Sequence, residues 1–198
     1  MKDPANILIT GASSGIGAAL AIACARAGRT LYLTGRNKQR LEAIADQCRA
    51  HGALVEIACI DVKEKKELAA WIHQCDSHKP IDLIIANAGI SAGFSQTIEE
   101  NYLNADEVFA VNLQGVLNTL HPIIPRMIAR EKGQLAIISS LAGIRALPGA
   151  PAYSASKAAV RFYGDALRGE LKPYGITVSV ICPGWITTPL TDKNDFPM

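Results

Sequence analysis

Two side chains able to exchange protons, Tyr153 and Lys157, stand four residues apart in the second half of the chain. Residues four apart share one face of a helix, so the phenol and the ammonium group would point into the same space. A free phenol has a pKa near 10, and lowering it to about 7 requires roughly 4 kcal/mol of phenolate stabilisation. A neighbouring cation can supply part of that stabilisation, so the pair fits proton transfer at an oxygen. The same spacing also occurs by chance in many helices.

A glycine-rich turn near the start of the chain is the second chemical feature. Residues 7–9 form a short apolar run typical of a buried strand, which we expect to end at Thr10. Gly11, Gly15 and Gly17 follow, and a helix is expected from about Gly15. The missing side chains would let a diphosphate approach backbone amides at the positive end of that helix. A tight turn without a ligand is the alternative interpretation of this G-x-x-x-G-x-G spacing.

An arginine follows the second expected strand, residues 30–34, in the sequence Gly35-Arg36. In a dinucleotide-binding fold this strand end meets the adenosine ribose, where a carboxylate binds the 2′-hydroxyl and an arginine accommodates a 2′-phosphate. Glycine stands here in place of the acid, and guanidinium matches phosphate in charge and geometry. The residues therefore favour NADP(H), with NAD(H) possible. The alternative for Arg36 is a solvated residue at a helix start, since Lys38 and Arg40 are close by.

These residues need elements that hold them, and the apolar patterns predict alternating strands and helices. We expect strands over residues 7–10, 30–34, 54–58 with an end near Asp61-Val62, 81–85, 134–139 and 176–181. Helices are expected over about 15–27, 41–49, 63–75, 103–130 and 153–172. Pro122 and Pro125 are expected to bend the second half of the long helix. The alternation implies an α/β fold, a doubly wound parallel sheet with helices on both faces.

Bulk properties narrow the possible partners. The 198 residues fit a single domain with a full core, and the 20 basic and 18 acidic residues are interspersed, for a net charge of +2. We therefore expect a small-molecule partner, no nucleic acid and no membrane. Five scattered cysteines and four histidines form no metal-ligand pattern, so no metal or disulfide is expected. The first strand begins almost at Met1, so we expect no signal peptide and a cytoplasmic protein.

Small or amide side chains mark two further places in the chain. Residues 86–89, Ala-Asn-Ala-Gly, close the fourth strand and would let a ligand lie against the backbone. Asn112 lies among apolar residues in the middle of the long helix. It either satisfies a local carbonyl group or has a function, and its own sequence context does not decide between the two.

Taken together, the motifs resemble those of the short-chain dehydrogenase/reductase family over essentially the whole chain. They are Thr10-Gly-x-x-x-Gly-x-Gly17, Asp61, Asn87-Ala88-Gly89, Asn112, Ser140, Tyr153-x-x-x-Lys157 and Pro183-Gly184-x-x-x-Thr188, and they follow the family order. Ser140 stands 13 residues before the tyrosine, as in the family pattern. The resemblance implies a Rossmann-type, three-layer α/β/α fold with strand order 3-2-1-4-5-6.

The resemblance also implies roles for particular residues. Asn112, Ser140, Tyr153 and Lys157 would be the catalytic set of an NAD(P)-dependent oxidoreductase that interconverts a secondary alcohol and a ketone. Asp61 would contact adenine, and Arg36 matches the NADP-preferring subgroup. The implied cofactor contacts are Gly11, Ser13, Ser14, Gly15, Ile16, Gly17, Arg36, Asp61, Val62, Asn87, Ala88, Gly89, Tyr153, Lys157, Pro183, Gly184, Ile186 and Thr188.

The chain departs from the family pattern at its C-terminus. Family members usually continue past the Pro-Gly motif through a substrate-covering segment and a seventh strand, whereas this sequence stops ten residues after Thr188. We therefore expect a chain truncated at the C-terminus, as a fragment or naturally, or one that has dispensed with the lid. Two alternative interpretations compete with that of an active enzyme. The protein would be either a regulator that binds NADP without turnover or an inactive family member that serves as an assembly partner.

The helix that carries Tyr153 has two apolar stripes on a helical wheel. One stripe, able to pack on the sheet, comprises Val160, Gly164, Leu167 and Leu171, and the other, roughly opposite, comprises Ala155, Ala158, Ala159, Phe162 and Ala166. One helix cannot bury both stripes against one sheet, so the second predicts a homodimer or homotetramer. Burial under a neighbouring loop is the alternative.

Overall fold

The computed structural model describes residues 3–91 and 104–188. Its six strands are β1 Asn6–Thr10, β2 Thr30–Thr34, β3 Leu54–Ala58, β4 Leu83–Ala86, β5 Gly133–Ile138 and β6 Ile176–Ile181. All adjacent pairs are parallel, and the order across the sheet is β3-β2-β1-β4-β5-β6. This confirms the predicted α/β fold and its strand order.

Helices connect the strands. They are α1 Gly15–Cys24, α2 Lys38–Ala50, α3 Lys65–His78, α4 Ala105–Phe109, α5 Gly115–Leu120, α6 Ile124–Ala129 and α7 Pro151–Leu171. A π-helical turn, Ala110–Gln114, joins α4 to α5, and short 3₁₀ turns cover Leu141–Gly143 and Lys172–Tyr174. Within the described residues, no helix is both long and apolar enough to cross a membrane.

Two apolar clusters cover the two faces of the sheet. Ile7 and Ile9 of β1 pack in the cluster that contains Leu41 of α2, whereas Leu8 between them packs with residues of α3, α5 and α7 such as Leu68. Successive strand residues point to opposite faces, so a strand covered on both sides is apolar at every position. This is why the short continuous apolar runs marked the strands so well.

The long helix predicted over residues 103–130 is interrupted. Its predicted start, Leu103, lies outside the described residues, and the described part ends at Leu120 before a new helix begins at Ile124. Pro122 has no amide hydrogen, and its ring would clash with the carbonyl group four residues earlier, so the chain breaks instead of bending. Pro125 stands in the first turn of α6, where a missing amide hydrogen costs nothing.

The first helix ends earlier than predicted, at Cys24 instead of about residue 27. Ala25 takes an extended conformation, and the Arg29 guanidinium donates a hydrogen bond to the carbonyl oxygen of Cys24 at 2.9 Å. A basic side chain at a helix C-terminus satisfies a carbonyl group that has no partner within the helix. The early end thus depends on an arginine beyond the helix, which apolar spacing does not reveal.

Candidate active site

A cleft of about 510 Å³ lies at the carboxyl ends of the strands. It is lined by every predicted site residue except Gly17 and Asn112. In open parallel sheets, ligands bind at this edge, where strand order reverses between β1 and β4. The turn after β1, the segment after β4 and the start of α7 therefore face one space, although they are far apart in the sequence.

The glycine turn is shaped by close backbone packing. Gly11 has a φ of +67°, and a Cβ there would lie 2.8 Å from the Cα atom of Ala88. A Cβ on Gly17 would lie 2.3 Å from the carbonyl oxygen of Gly11 and 2.4 Å from the side-chain amide nitrogen of Asn87. The missing side chain of Gly17 thus allows helix α1 to pack closely against the turn, whereas Gly11 and Gly15 line the cleft.

Asn87 ties the ends of β1 and β4 together. Its side-chain amide donates to the carbonyl oxygens of Thr10 at 2.9 Å and Gly11 at 3.3 Å, and its backbone amide donates to the Thr10 hydroxyl at 3.1 Å. The side chain of Ser14 makes no capping hydrogen bond to the first turn of α1. Amides at a helix N-terminus favour an anion, so the turn fits the diphosphate of a dinucleotide.

Basic side chains surround the other end of the cleft. Arg36 lines it, with one guanidinium nitrogen 3.9 Å from a carboxylate oxygen of Asp61. A Cβ on Gly35 would lie 3.0 Å from the Ser13 hydroxyl oxygen, so an acidic side chain there would have to displace Ser13. This end of the cleft therefore presents guanidinium where a carboxylate would have little room.

Arg40 also lines this end of the cleft, together with Asn37, and the sequence reasoning missed both as site residues. Asn37 caps α2, its side-chain oxygen accepting from the Arg40 amide at 2.9 Å. A capped first turn brings the third residue of the helix back toward its N-terminus. An asparagine at the expected helix start, followed by an arginine three residues later, is the sequence signal from which Arg40 could have been predicted as a second cationic residue of the site.

Tyr153 stands in the first turn of α7 and lines the cleft with Ser140. Burial raises the pKa of the Tyr153 phenol, and a hydrogen bond with the Ser140 hydroxyl opposes that shift without cancelling it. The direction is opposite to the lowered pKa that base catalysis was expected to need. Burial therefore favours the neutral phenol, which is the form that donates a proton.

Lys157 is buried beside this tyrosine. Its ammonium group donates to the carbonyl oxygen of Ile138 at 2.9 Å and lies 5.8 Å from the centroid of the Tyr153 ring. Burial lowers the pKa of Lys157 to about 8, and a smaller influence of Cys182 opposes this. The four-residue spacing did bring the two groups together, and with a pKa of about 8 Lys157 stays mostly charged at neutral pH, but burial outweighs the influences that lower the pKa of Tyr153.

Asn112 lies in the π-helical turn and does not line the cleft. Its side-chain oxygen accepts from the Ile90 amide at 2.8 Å, and its nitrogen donates to the Ile90 carbonyl oxygen at 2.9 Å and to Ser156 at 3.1 Å. The carbonyl group that Asn112 satisfies therefore belongs to Ile90, 22 positions earlier in the chain. A Cβ on Gly89 would lie 3.3 Å from both the Asn112 oxygen and the Lys157 nitrogen, so these groups share one space.

The family model for short chain dehydrogenases matches residues 5–196. An uncharacterized oxidoreductase of Myxococcus xanthus (strain DK1622) is 37% identical over 192 residues, which are 96% of this chain and 76% of that protein. A short-chain dehydrogenase from Sphingobium yanoikuyae in complex with NADPH superposes with a TM-score of 0.85 at 32% identity, over 93% of this chain and 72% of that one. An NAD⁺-bound xylitol dehydrogenase gives a TM-score of 0.87 at 26% identity, over 92% and 70%.

The chain thus belongs to the short-chain dehydrogenase/reductase family. It is an oxidoreductase that acts on CH–OH or carbonyl groups with a nicotinamide cofactor. It spans about three quarters of the length of these relatives.

Proposed function

We propose that this protein is an NADP(H)-dependent oxidoreductase that interconverts a secondary alcohol and a ketone, with Tyr153 as the proton donor and acceptor. The observation that carries the proposal is the position of the Tyr153 phenol, which lines the cleft together with Ser140 and has the Lys157 nitrogen 5.8 Å from its ring centroid. The direct test is loss of NADPH absorbance with a panel of ketones, comparing the natural chain with a Tyr153 variant.

The proposed mechanism assigns one step to each of the catalytic side chains. When bound, a reduced nicotinamide supplies the hydride for the carbonyl carbon. The Ser140 hydroxyl donates a hydrogen bond to the carbonyl oxygen, and Tyr153 transfers its proton to the same oxygen. The positive charge of Lys157 stabilises the phenolate left behind. Asn112 holds the segment at Ile90 in place, so that solvent near Gly89 can return the proton through Lys157.

The proposed preference for NADP(H) rests on the end of the cleft at Arg36. Arg36 and Arg40 both line it, while Gly35 offers no carboxylate to a ribose hydroxyl. A hydrogen bond to a charged partner contributes about 1.5–3 kcal/mol. A 2′-phosphate would therefore gain an attraction here that a 2′-hydroxyl lacks.

Arg36→Ala is expected to weaken NADPH binding by roughly tenfold to a hundredfold and to leave NADH binding nearly unchanged, because only NADPH carries the 2′-phosphate. Fluorescence titration with both reduced cofactors measures the two dissociation constants. Lys38→Ala is the matched control, since Lys38 is 74% exposed and does not line the cleft. Equal affinities of the natural chain for both cofactors, or an unaffected Arg36→Ala variant, would refute the preference.

We also propose that the protein pairs with its own copy through α7. The inner stripe is buried, as predicted for Val160, Gly164, Leu167 and Leu171. In the second, outer stripe, which contains Phe162, the side chain of this residue is 68% exposed within the described chain. Ala155 and Ala166 of the same stripe are also exposed. Small residues around an exposed aromatic ring allow close approach of another helix.

Phe162→Glu is expected to convert a dimer or tetramer into a monomer, because it places a charge in the middle of an apolar contact. Sedimentation at tens of micromolar protein measures the change. The control is Leu54→Glu, which alters a similarly exposed apolar residue at the β3 edge and should leave the assembly intact. A natural chain that is already monomeric at this concentration would rule the contact out.

A further inference from the structure

The segment after β3 is held from behind by α5. Asn118 is buried in that helix, 2% exposed, and its side-chain nitrogen donates to the carbonyl oxygen of Val62 at 2.9 Å. Its side-chain oxygen accepts from Gln114 at 2.9 Å, which fixes the orientation of the amide. A Cβ on Gly115 would lie 2.6 Å from a methyl group of Val62, so the helix backbone also packs directly on this residue.

Val62 and its neighbour Asp61 both line the cleft on the side of Arg36. Asn118 does not line the cleft, so it acts on this wall only through Val62. A second tie, between Lys63 and Glu107 at 2.8 Å, is partly exposed to solvent. Exposed ion pairs hold a segment weakly, whereas a buried carbonyl group that loses its donor must find another partner.

A second segment that lines the cleft, at Ile90, is held by the same helical stretch. Asn112 binds both backbone groups of Ile90, six residues before Asn118 binds the Val62 carbonyl. The helical stretch from Asn112 to Asn118 thus fixes two segments that line the cleft. Each segment is held by the side-chain amide of one asparagine. Changing the two asparagines separately should therefore disturb the segments at Val62 and at Ile90 separately.

We propose that Asn118 is a positioning residue for the adenosine end of the cofactor, acting through the Val62 carbonyl. This inference rests on the proposed function, which places the 2′-phosphate of NADPH at Arg36, and on the family resemblance, which implies that Asp61 beside Val62 contacts the adenine. Without the Asn118 amide, the Val62 carbonyl has to turn toward another donor, and the wall moves away from the bound adenosine. The side chains around Tyr153 keep their own contacts, so the reacting end is unaffected.

The test uses adenosine 2′,5′-bisphosphate, which contains only the adenosine half of NADPH, and measures its dissociation constant by calorimetry. Asn118→Leu is expected to raise this constant and that of NADPH about tenfold, while kcat at saturating NADPH stays within about twofold. Asn118→Asp retains the volume but cannot donate to Val62, so it should weaken binding at least as much. A general loss of structure would instead lower kcat as well.

Thr119→Val is the matched control. Thr119 is buried next to Asn118, but its hydroxyl donates within the helix, to the Gly115 carbonyl oxygen at 2.7 Å. Unchanged binding in this variant supports the inference. An equal loss of affinity in Thr119→Val, or none in Asn118→Leu and Asn118→Asp, overturns it.

Asp61→Ala separates this inference from the proposed function. If Asp61→Ala weakens binding of the bisphosphate while both Asn118 variants bind normally, the cofactor is placed as proposed and the role of Asn118 is refuted. If Asp61→Ala and Arg36→Ala both bind normally, the proposed placement of the adenosine fails, and the inference fails with it.

Discussion

Tyr153→Phe is expected to lower turnover by about 10²- to 10⁴-fold, the range that a positioned proton donor contributes. The change removes one hydroxyl group and leaves the glycine turn and the arginines at the far end of the cleft in place. NADPH binding should therefore stay within about twofold of the natural chain, because no phosphate or ribose contact at those elements is lost. Steady-state rates and fluorescence titration measure the two quantities separately.

Tyr163→Phe provides the matched control in the same helix. The hydroxyl of Tyr163 pairs with a ring nitrogen of His121 at 2.9 Å and does not reach the cleft. This variant should keep its turnover. If Tyr153→Phe retained more than a few per cent of the natural rate, the acid–base role of Tyr153 would be wrong.

Lys157→Met is expected to lower turnover by about 100-fold or more and yet to raise stability at neutral pH. Burial lowers the pKa of Lys157 to about 8 from the ordinary value of 10.5, so the unfolded chain binds this proton more tightly. The difference corresponds to a cost of about 3 kcal/mol in the folded state. Methionine is similar in length and carries no charge, so it avoids that cost.

The pH dependence of this gain has a definite sign. The cost of the charged lysine is full below the folded-state pKa of about 8 and disappears as the pH rises toward 10.5, so the advantage of Lys157→Met shrinks over this window. Loss of the hydrogen bond leaves the buried carbonyl oxygen of Ile138 without this donor, which costs about 1–3 kcal/mol, so the net gain at neutral pH is at most about 2 kcal/mol.

Urea unfolding at neutral and at alkaline pH measures the free energy of unfolding of both proteins. Lys38→Met, at an exposed position, should show no such pH-dependent gain. A Lys157→Met variant that is less stable than the natural chain at neutral pH would show that the buried ammonium group is compensated by its surroundings.

The strands were predictable because their environment leaves a simple pattern. The bounds of β2 and β6 agree with prediction to the residue, and β3 begins at Leu54 as predicted but ends at Ala58, before the predicted end near Asp61-Val62. β2 is buried at every position, so its sequence between turns is dominated by apolar residues. Helix ends were less accurate, because they depend on contacts outside the helix. The Arg29 cap on α1 is one such contact, made by a residue beyond the end of the helix.

The π-helical turn could not be found from residue types. Its sequence, Ala-Val-Asn-Leu-Gln, differs in no obvious way from that of an ordinary helix. Asn112 nevertheless lies within this wider turn. Only the partners at Ile90 and Ser156 show what that asparagine holds. Asn118, one to two turns later, gave no sequence signal at all.

The residues that meet at the Tyr153 end of the cleft were predictable from the sequence, but their electrostatics were not. Spacing brought Tyr153 and Lys157 together, and the family order added Ser140. The pKa direction of Tyr153 depends on how deeply the folded chain buries it, which a linear sequence does not state. The result favours a phenol that is protonated at rest and ready to donate to a carbonyl oxygen.

The central claim is hydride transfer between NADPH and a carbonyl carbon in this cleft. The most direct measurement is incubation of the protein with NADPH deuterated at the transferable ring position and a panel comprising a ketoacyl thioester, a sugar, a steroid ketone and a small aliphatic ketone. Mass spectrometry of the products should show an alcohol with deuterium on the former carbonyl carbon, absent with Tyr153→Phe. Tight NADPH binding without deuterium in any product would contradict the account and indicate a protein that binds the cofactor without turnover.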